Sequence, residues 1–194
     1  MPAGTGNQID YRTRTLEPWL APEKPRIVAF ISSSDNRGTD LLSGVAAAIV
    51  AGDKQVRVLR IDGGDGENEG DIGLLESMGD VADYLLVDLP FRPTPFARSV
   101  LADCDLVIVA GSCKIEYLSE AENIVKVLLF LGIDPAKVAG VLVDPEGILS
   151  SASLADIKPY LESSLGIEMA GVISFDSASS QMARDIEQLA GYIK

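Results

Sequence analysis

The chain has 194 residues, with 16 Lys and Arg against 29 Asp and Glu, no histidine, and a formal net charge of −13. This length suits one domain, and 47% hydrophobic with 23% charged residues is typical of a globular domain with a sizeable core. The missing histidine excludes His-based triads and His-ligated metal sites, and the scattered basic residues argue against a nucleic-acid partner.

Neither the cysteines nor the chain start indicates an exported or membrane protein. Two cysteines, Cys104 and Cys113, are too few for a zinc site, so we expect both to be small buried side chains. The first residues lack the basic and apolar regions of a signal peptide, and no apolar run approaches the roughly 18 residues of a membrane span. We therefore expect a cytoplasmic protein that does not bind membranes.

Residues 1–25 form a polar, proline-interrupted extension ahead of a domain predicted over 26–194. Within it, Leu16, Trp19 and Leu20 make a short apolar group that contains the only tryptophan. This group docks either on its own domain or on a partner, and the sequence leaves both alternatives open.

After residue 25, short apolar runs alternate with longer amphipathic segments. Unbroken apolar strands of this kind are buried on both faces, which is typical of a mostly parallel sheet. The six predicted strands are Ile27–Ile31, Val56–Ile61, Tyr84–Asp88, Leu106–Ala110, Val138–Val143 and Met169–Ile173.

Four helices are predicted between and after these strands, at 39–51, 114–132, 153–165 and 177–193. We expect Gly132 to end the second and Pro159 to limit or kink the third. The alternation predicts a doubly wound α/β fold, a Rossmann-like three-layer sandwich with helices on both faces of the sheet. Ligands of such folds bind beyond the carboxyl ends of the strands.

The segment from Ser32 to Asp40 joins the first strand to a helix through a tight loop, which is the geometry of a phosphate cradle. A working P-loop reads G-x-x-x-x-G-K-[ST]. Gly38 fits the second glycine, but Ser33 stands at the first, Thr39 at the lysine and Asp40 at the Mg²⁺-binding hydroxyl. The position of the loop fits a P-loop, but most of the residues that bind phosphate and Mg²⁺ in that motif are absent.

From about Arg26 onward, the sequence resembles the ParA/MinD group of P-loop ATPases, whose deviant Walker A motif reads K-G-G-x-G-K-[ST]. The threonine at the second lysine resembles the TadZ/CpaE-like localisation branch. The resemblance implies a P-loop NTPase-like fold and rests on Ile27–Ile49 and four later landmarks in order, which are Val58–Asp62, Tyr84–Pro90, Ala102–Ala110 and Val138–Val143.

The resemblance also implies a nucleotide site, whose motif positions are occupied by unusual residues. Ser34 stands at the signature lysine, Thr39 at the Walker lysine and Asp144 at the adenine-reading asparagine. The remaining nucleotide-binding positions that the resemblance implies are occupied by Asp35, Asn36, Arg37, Gly38 and Asp40.

Asp62 and Asp88 keep the group's positions at the ends of two strands. The resemblance implies that they are the catalytic carboxylates, with Asp88 holding Mg²⁺ through water. If nucleotide binds, Asp40 and Asp88 are the candidate metal ligands. The alternative is that both strand-end aspartates cap neighbouring loops and helices.

The substitutions weaken the predicted phosphate site in two ways. Both lysines are absent, and Asp35 and Asp40 place carboxylates where a polyanion would sit. Like charges ~4 Å apart cost about 4 kcal/mol at an intermediate dielectric, which weakens binding by a factor on the order of 10³. Arg37, or a divalent cation bound by Asp40 and Asp88, would restore part of the lost affinity.

We therefore expect a domain with a degenerate nucleotide site that serves as a dimerising positioning, assembly or protein-interaction module. The alternative is a slow Mg²⁺-dependent ATPase, with ATP or ADP and Mg²⁺ as cofactors instead of none. A third possibility is an acidic binding module from another Rossmann-like group.

Two remaining segments have simpler interpretations. The acidic, glycine-rich stretch 62–71 lacks the EF-hand order of ligands and is expected to be a surface loop. The last helix carries two basic residues, Arg184 and Lys194, and also two acidic ones, Asp185 and Glu187. A membrane-binding helix needs an excess of basic residues beside its apolar face, so we expect this helix to pack on the domain.

Overall fold

The computed structural model describes residues 24–33, 38–60, 82–91, 94–144, 151–175 and 179–194. Its strands are β1 (Arg26–Ser32), β2 (Val56–Arg60), β3 (Tyr84–Leu89), β4 (Leu106–Ser112), β5 (Val138–Asp144) and β6 (Glu168–Ser174). Its helices are α1 (Gly38–Val50), α2 (Pro95–Asp103), α3 (Ile115–Phe130), α4 (Ser151–Leu165) and α5 (Ser179–Ile193), with a short 3₁₀ turn at Pro135–Lys137.

The six strands form one parallel sheet in the order β2-β3-β1-β4-β5-β6. Ile31 pairs with Leu89 of β3 and with Val109 of β4, so the central strands end close together. We call this side, where β1, β3, β4 and β5 end, the carboxyl edge. The predicted doubly wound α/β fold is confirmed.

The helices cover both faces of the sheet because alternate side chains of each central strand point to opposite sides. Val28 and Phe30 of β1 belong to a buried cluster that includes residues of α1 and α5. Ala29 and Ile31 belong to a second cluster that includes residues of α2 and α3. The core therefore has two layers separated by the sheet.

The strands at the two ends of the sheet differ from the prediction. All seven residues of β4 and of β5 are buried, as expected. In β2, however, Val58 is 48% exposed, and β6 begins with the exposed Glu168. The expectation that all six strands are buried on both faces is wrong for β2 and β6, the two strands at the ends of the sheet.

The helices largely follow the prediction. Gly132 follows α3 with a φ of +84°, a conformation that glycine adopts without strain, so its predicted role as helix stop is confirmed. Pro159 does not end its helix, which runs on to Leu165. No helix was predicted over α2, although Thr94 and Pro95 begin it in the usual way: the Thr94 hydroxyl accepts the Ala97 N–H at 3.1 Å.

The last helix, α5, packs on the domain as expected. Its Ile186 side chain lies so close to Gly44 of α1 that a Cβ there would be 2.7 Å from the Ile186 Cδ1 atom. Ile186 and Leu189 are both buried. In the part of the chain that is described, no helix is both long and apolar enough to cross a membrane.

Candidate functional site

The connections of the sheet point to one place for a ligand. The chain leaves β1 through α1 toward β2, and it leaves β4 through α3 toward β5, on the other side of β1. Ligands of open parallel sheets bind where neighbouring strands send their connections in opposite directions. This point lies between the carboxyl ends of β1 and β4.

Ser33 lies at this point, directly after β1. Its N–H donates to the Ala110 carbonyl of β4 at 3.0 Å, and the residue is 3% exposed. Within the described residues, its buried hydroxyl has no hydrogen-bond partner. A buried polar group without a partner is costly in a protein interior, so this hydroxyl is a candidate ligand-binding group.

The helix that follows presents its N-terminus to the same region. Gly38 and Thr39 form the first residues of α1, and Asp40 lies exposed in its first turn. The free N–H groups and the dipole of a helix N-terminus favour negative charge. Asp40 therefore stabilises α1. It also places a carboxylate where the helix N-terminus would otherwise attract a bound anion.

Asp88 lies near the carboxyl end of β3, paired in register with Phe30 of β1. It is half-buried, unlike the fully buried Leu86 and Leu89. By the alternation of a strand it shares the face of Leu86, which packs in the cluster of α1 and α5. Asp88 thus lies on the side of the sheet that α1 covers.

Asp144 ends β5 and is 1% exposed. The Cys113 thiol donates to its Oδ1 atom at 3.4 Å. Backbone hydrogen bonds between neighbouring strands continue past the ends of β4 and β6. The Cys113 N–H donates to the Val143 carbonyl, and the Phe175 N–H donates to the Asp144 carbonyl. This carboxylate is therefore held in a defined, buried position.

Two polar residues at the carboxyl end of β4, Ser112 within the strand and Cys113 directly after it, were not among the predicted site residues. Ser112 is 1% exposed, and its hydroxyl accepts the Lys114 N–H at 3.4 Å. Cys113 was predicted to be a small buried residue, and it is half-buried and paired with Asp144. The sequence contained a signal for both, because they lie two and three positions after the apolar run Leu106–Ala110.

Five predicted site residues lie outside the described residues: Ser34, Asp35, Asn36, Arg37 and Asp62. The predicted extension at 1–25 is described only from Lys24, and the predicted surface loop 62–71 is also outside.

The described groups fit a magnesium nucleotide poorly. The Ser33 hydroxyl and the N-terminus of α1 suit an anion. Asp40 and the buried Asp144 do not, and the sequence from residue 33 to residue 40 contains no lysine. Where the chain is described, no three or more Cys, Asp or Glu residues are grouped as metal ligands. The described part of this site therefore offers an anion one hydroxyl and a helix N-terminus, together with two carboxylates that would repel it.

Cys104 differs from Cys113 in its surroundings. It is fully buried after α2, its thiol donates to the Leu101 carbonyl at 3.2 Å, and burial raises its pKa to about 11. The expectation of a small buried side chain is confirmed for Cys104. Such a thiol stays protonated and unreactive near neutral pH.

No family model and no curated protein sequence matches the chain. Solved structures do match its fold. The MinD cell division protein of Aquifex aeolicus is 11% identical, with a TM-score of 0.65 over 87% of this chain and 96% of that one. The Pyrococcus horikoshii MinD complexed with Mg-ADP is 12% identical, with a TM-score of 0.62 over 88% and 96%.

A ParA family ATPase of Chlorobium tepidum TLS is 15% identical, with a TM-score of 0.59 over 87% of this chain and 96% of that one. These matches cover nearly the whole of each neighbour. The chain therefore has the fold of the MinD and ParA ATPases.

Proposed function

We propose that this chain is a protein-interaction module that has the MinD/ParA fold but has lost an efficient nucleotide site, and that it acts as a dimer in positioning or assembly. One observation carries the proposal. The turn that opens α1 at the carboxyl edge contains Thr39 and Asp40 where a phosphate site needs a lysine and a hydroxyl.

The electrostatics of the carboxyl edge support this proposal. Asp40 lies in the first turn of α1, and Asp144 is buried at the end of β5. Repulsion between one such carboxylate and a phosphate ~4 Å away costs about 4 kcal/mol at an intermediate dielectric. The overall charge of −13 adds to the repulsion of a polyanion.

The intact interior supports a role that depends on the shape of the domain. The two buried clusters enclose all the central strands, and β4 and β5 are buried along their whole length. The core does not depend on the basic residues that a phosphate site needs. A domain without those residues therefore still offers its packed surface to a partner. The MinD protein of Aquifex aeolicus has been solved in complex with MinC, and we propose a protein partner here by analogy.

Calorimetry with Mg·ATP and with Mg·ADP tests the proposal. We expect no binding in the micromolar range and no phosphate release. The Asp88→Asn variant serves as a matched control, because it removes the family-position carboxylate while keeping its size. Micromolar binding together with hydrolysis that depends on Asp88 would contradict the proposal.

The second candidate function is a slow Mg²⁺-dependent ATPase, and the unpartnered hydroxyl of Ser33 favours it. In this role, the backbone of the loop, Gly38 and Arg37 would hold the phosphates, and Asp62 and Asp88 would supply carboxylates. If millimolar ATP causes neither a thermal shift nor phosphate release, this candidate fails. The cytoplasm is the proposed location of the protein in either case.

A further inference from the structure

The strand β6 lies at one end of the sheet and has an outer edge, the side turned away from β5. Within the part of the chain that the structure describes, no strand pairs with this edge. The three central residues, Ala170, Gly171 and Val172, are half-buried, and nothing lies within 4 Å of the Cβ position at Gly171. An exposed strand edge presents backbone N–H and carbonyl groups with which another strand can pair.

Backbone hydrogen bonds show which groups of β6 point outward. The Phe175 N–H, just past the strand, donates to the Asp144 carbonyl of β5, so it points inward. Neighbouring residues of a strand direct their N–H groups to opposite edges, so those of Ser174 and Val172 point outward. The Ser174 N–H accordingly donates to the Asp185 carboxylate of α5, at 3.4 Å. The N–H and carbonyl groups of Val172 therefore lie on the outer edge.

Two carboxylates, one from each of the helices beside β6, lie at the ends of the strand. Asp185 of α5 accepts the Ser174 N–H, and Glu162 of α4 accepts the Met169 N–H at 3.0 Å. Met169 and Ser174 are five positions apart, which is about 17 Å along a strand. The stretch between the two carboxylates is long enough for about four residues of a partner strand.

The charged side chains at β6 are mostly acidic. Glu168, exposed at the start of the strand, adds a third carboxylate, which accepts the Tyr192 hydroxyl at 3.1 Å. Lys158 offsets one of the three, because its Nζ atom is 3.7 Å from the Glu162 carboxylate. The chain as a whole carries a charge of −13, so a second copy would bring the same excess of acidic charge. The charges therefore favour a basic partner.

We propose that the outer edge of β6 binds an extended, basic segment of another protein, which adds to the sheet as a further strand. The backbone of the partner pairs with that of Val172, and basic side chains on either side of the paired stretch bind Asp185 and Glu162. In strand addition, main-chain hydrogen bonds supply affinity and side-chain contacts supply specificity. The proposal rests on the interaction role proposed above and adds the class of partner.

Designed peptides test the proposal with the full chain and without nucleotide, so the result is separate from the calorimetric test of the phosphate site. The first peptide is Val-Thr-Val flanked by lysines on both sides, and the second carries glutamates in place of the lysines. The third keeps the lysines but is N-methylated at each residue of the Val-Thr-Val stretch, which removes its backbone donors. Fluorescence anisotropy of a label on each peptide measures binding.

We expect the lysine peptide to bind, and each of the other two to bind at least about tenfold more weakly. Equal binding of the N-methylated peptide would exclude strand pairing, and equal binding of the glutamate peptide would exclude the charge argument. Failure of the lysine peptide to bind at millimolar concentration would also overturn the proposal.

The carboxylates are tested by combining Glu162→Gln with Asp185→Asn. This double variant removes both charges and leaves a carbonyl oxygen to accept each backbone N–H, and circular dichroism verifies that it is folded. We expect its affinity for the lysine peptide to be about fivefold lower, which is the size of two exposed ion pairs. Unchanged affinity would show that the peptide does not bind between these carboxylates.

The matched control combines Glu122→Gln with Asp83→Asn, which removes two carboxylates of the same kinds away from β6. Glu122 forms an ion pair with Lys126 one helical turn away, as Glu162 does with Lys158. Asp83 accepts a backbone N–H, that of Gln55, at 2.9 Å. We expect this control to bind the lysine peptide as tightly as the unmodified chain does. An equal loss in the control would show that only total charge matters.

Amide hydrogen exchange locates the contact. The lysine peptide should slow exchange of the Val172 amide and leave the amides of α1 unchanged. Protection that does not include Val172 would place the peptide elsewhere and overturn the proposal.

Sedimentation of the chain alone distinguishes this partner from a second copy. The opposite end strand, β2, carries Arg57 and Arg60, so another copy also has a basic strand to offer. We expect any self-association to be the same in the Glu162→Gln, Asp185→Asn variant as in the unmodified chain. Self-association that this variant abolishes would overturn the proposal in favour of pairing between copies.

Discussion

The thiol of Cys113 donates a hydrogen bond of 3.4 Å to the carboxylate of Asp144 at the carboxyl edge of the sheet. The two residues are 31 positions apart in sequence, and the pairing of Ser112 with Val143 brings them together. Asp144 is 1% exposed, so a donor to its carboxylate matters more here than it would in water.

The first prediction concerns this pair. Cys113→Ala removes a donor from a buried carboxylate, and we expect a loss of about 1 kcal/mol in the free energy of unfolding, since a thiol is a weak donor. Cys113→Ser keeps a donor and is the matched control, with a smaller loss. Chemical denaturation measures both, and equal stability of Cys113→Ala and the unmodified chain would contradict the prediction.

The second prediction concerns the first turn of α1, where the proposal places the degenerate phosphate site. Thr39→Lys combined with Asp40→Ser restores the two residue types that a P-loop needs at these positions. Replacing a repulsive charge by an attractive one should tighten the Kd for Mg·ATP by a factor on the order of 10² to 10³.

Calorimetry measures this change in affinity. Ala47→Lys is the control, because Ala47 is exposed farther along α1 and the variant adds a lysine away from the loop, which is one of the two units of positive charge that the double variant gains. Binding that is no tighter in the double variant than in Ala47→Lys would show that charge at these positions is not what limits affinity.

The third prediction concerns Cys104 and pH. Burial raises its pKa from 9.0 to about 11, so the unfolded chain loses this proton at lower pH than the folded chain does. The contribution of Cys104 to stability is complete below pH 9 and declines as the pH rises to about 11. The total decline is about 2–3 kcal/mol.

Unfolding by denaturant at several pH values between these limits measures the effect. Other groups also titrate there, including Tyr192, whose pKa is raised mainly by burial and also by its hydrogen bond to Glu168. Cys104→Ala is therefore the reference, and its stability should decline less steeply than that of the unmodified chain. Parallel pH profiles for the two proteins would be the contrary result.

The fourth prediction concerns the close packing of β4 against α3. A Cβ at Gly111 would lie 2.8 Å from the Cβ of Ala121, where neither backbone moves easily. Gly111→Ala should lower the free energy of unfolding by about 1–3 kcal/mol. Gly171→Ala in β6 is the matched control, because nothing lies within 4 Å of its Cβ position, and it should cost far less. Equal costs for the two variants would contradict the packing argument.

The predicted elements were most accurate where the local signal was strong. The six apolar runs correspond to the six strands, and Gly132 ends α3 as expected. The α2 helix was missed because its turn signal at Thr94 and Pro95 precedes only nine helical residues. The predicted end of the third helix at residue 165 is confirmed, and Pro159 lies inside helix α4 without ending it.

The candidate site was predictable in its location and not in its contacts. The sequence indicated the strand ends, including Asp88, Asp144 and the segment after β1. It did not indicate that the Ser33 hydroxyl is buried without a partner, or that Cys113 donates to Asp144. These facts depend on strand neighbours, which chain order does not specify.

The sequence by itself determined the class of fold and the charges in the segment that follows β1, because hydrophobic periodicity and residue type are local properties. Only the tertiary structure decided the strand order, the partly exposed end strands β2 and β6, and the carboxylates at the two ends of β6. These features arise from packing between segments far apart in the chain. The sequence shows that acidic residues stand at positions 40 and 144 of the motif. Only the packing of the sheet determines that Asp40 is exposed and that Asp144 is buried.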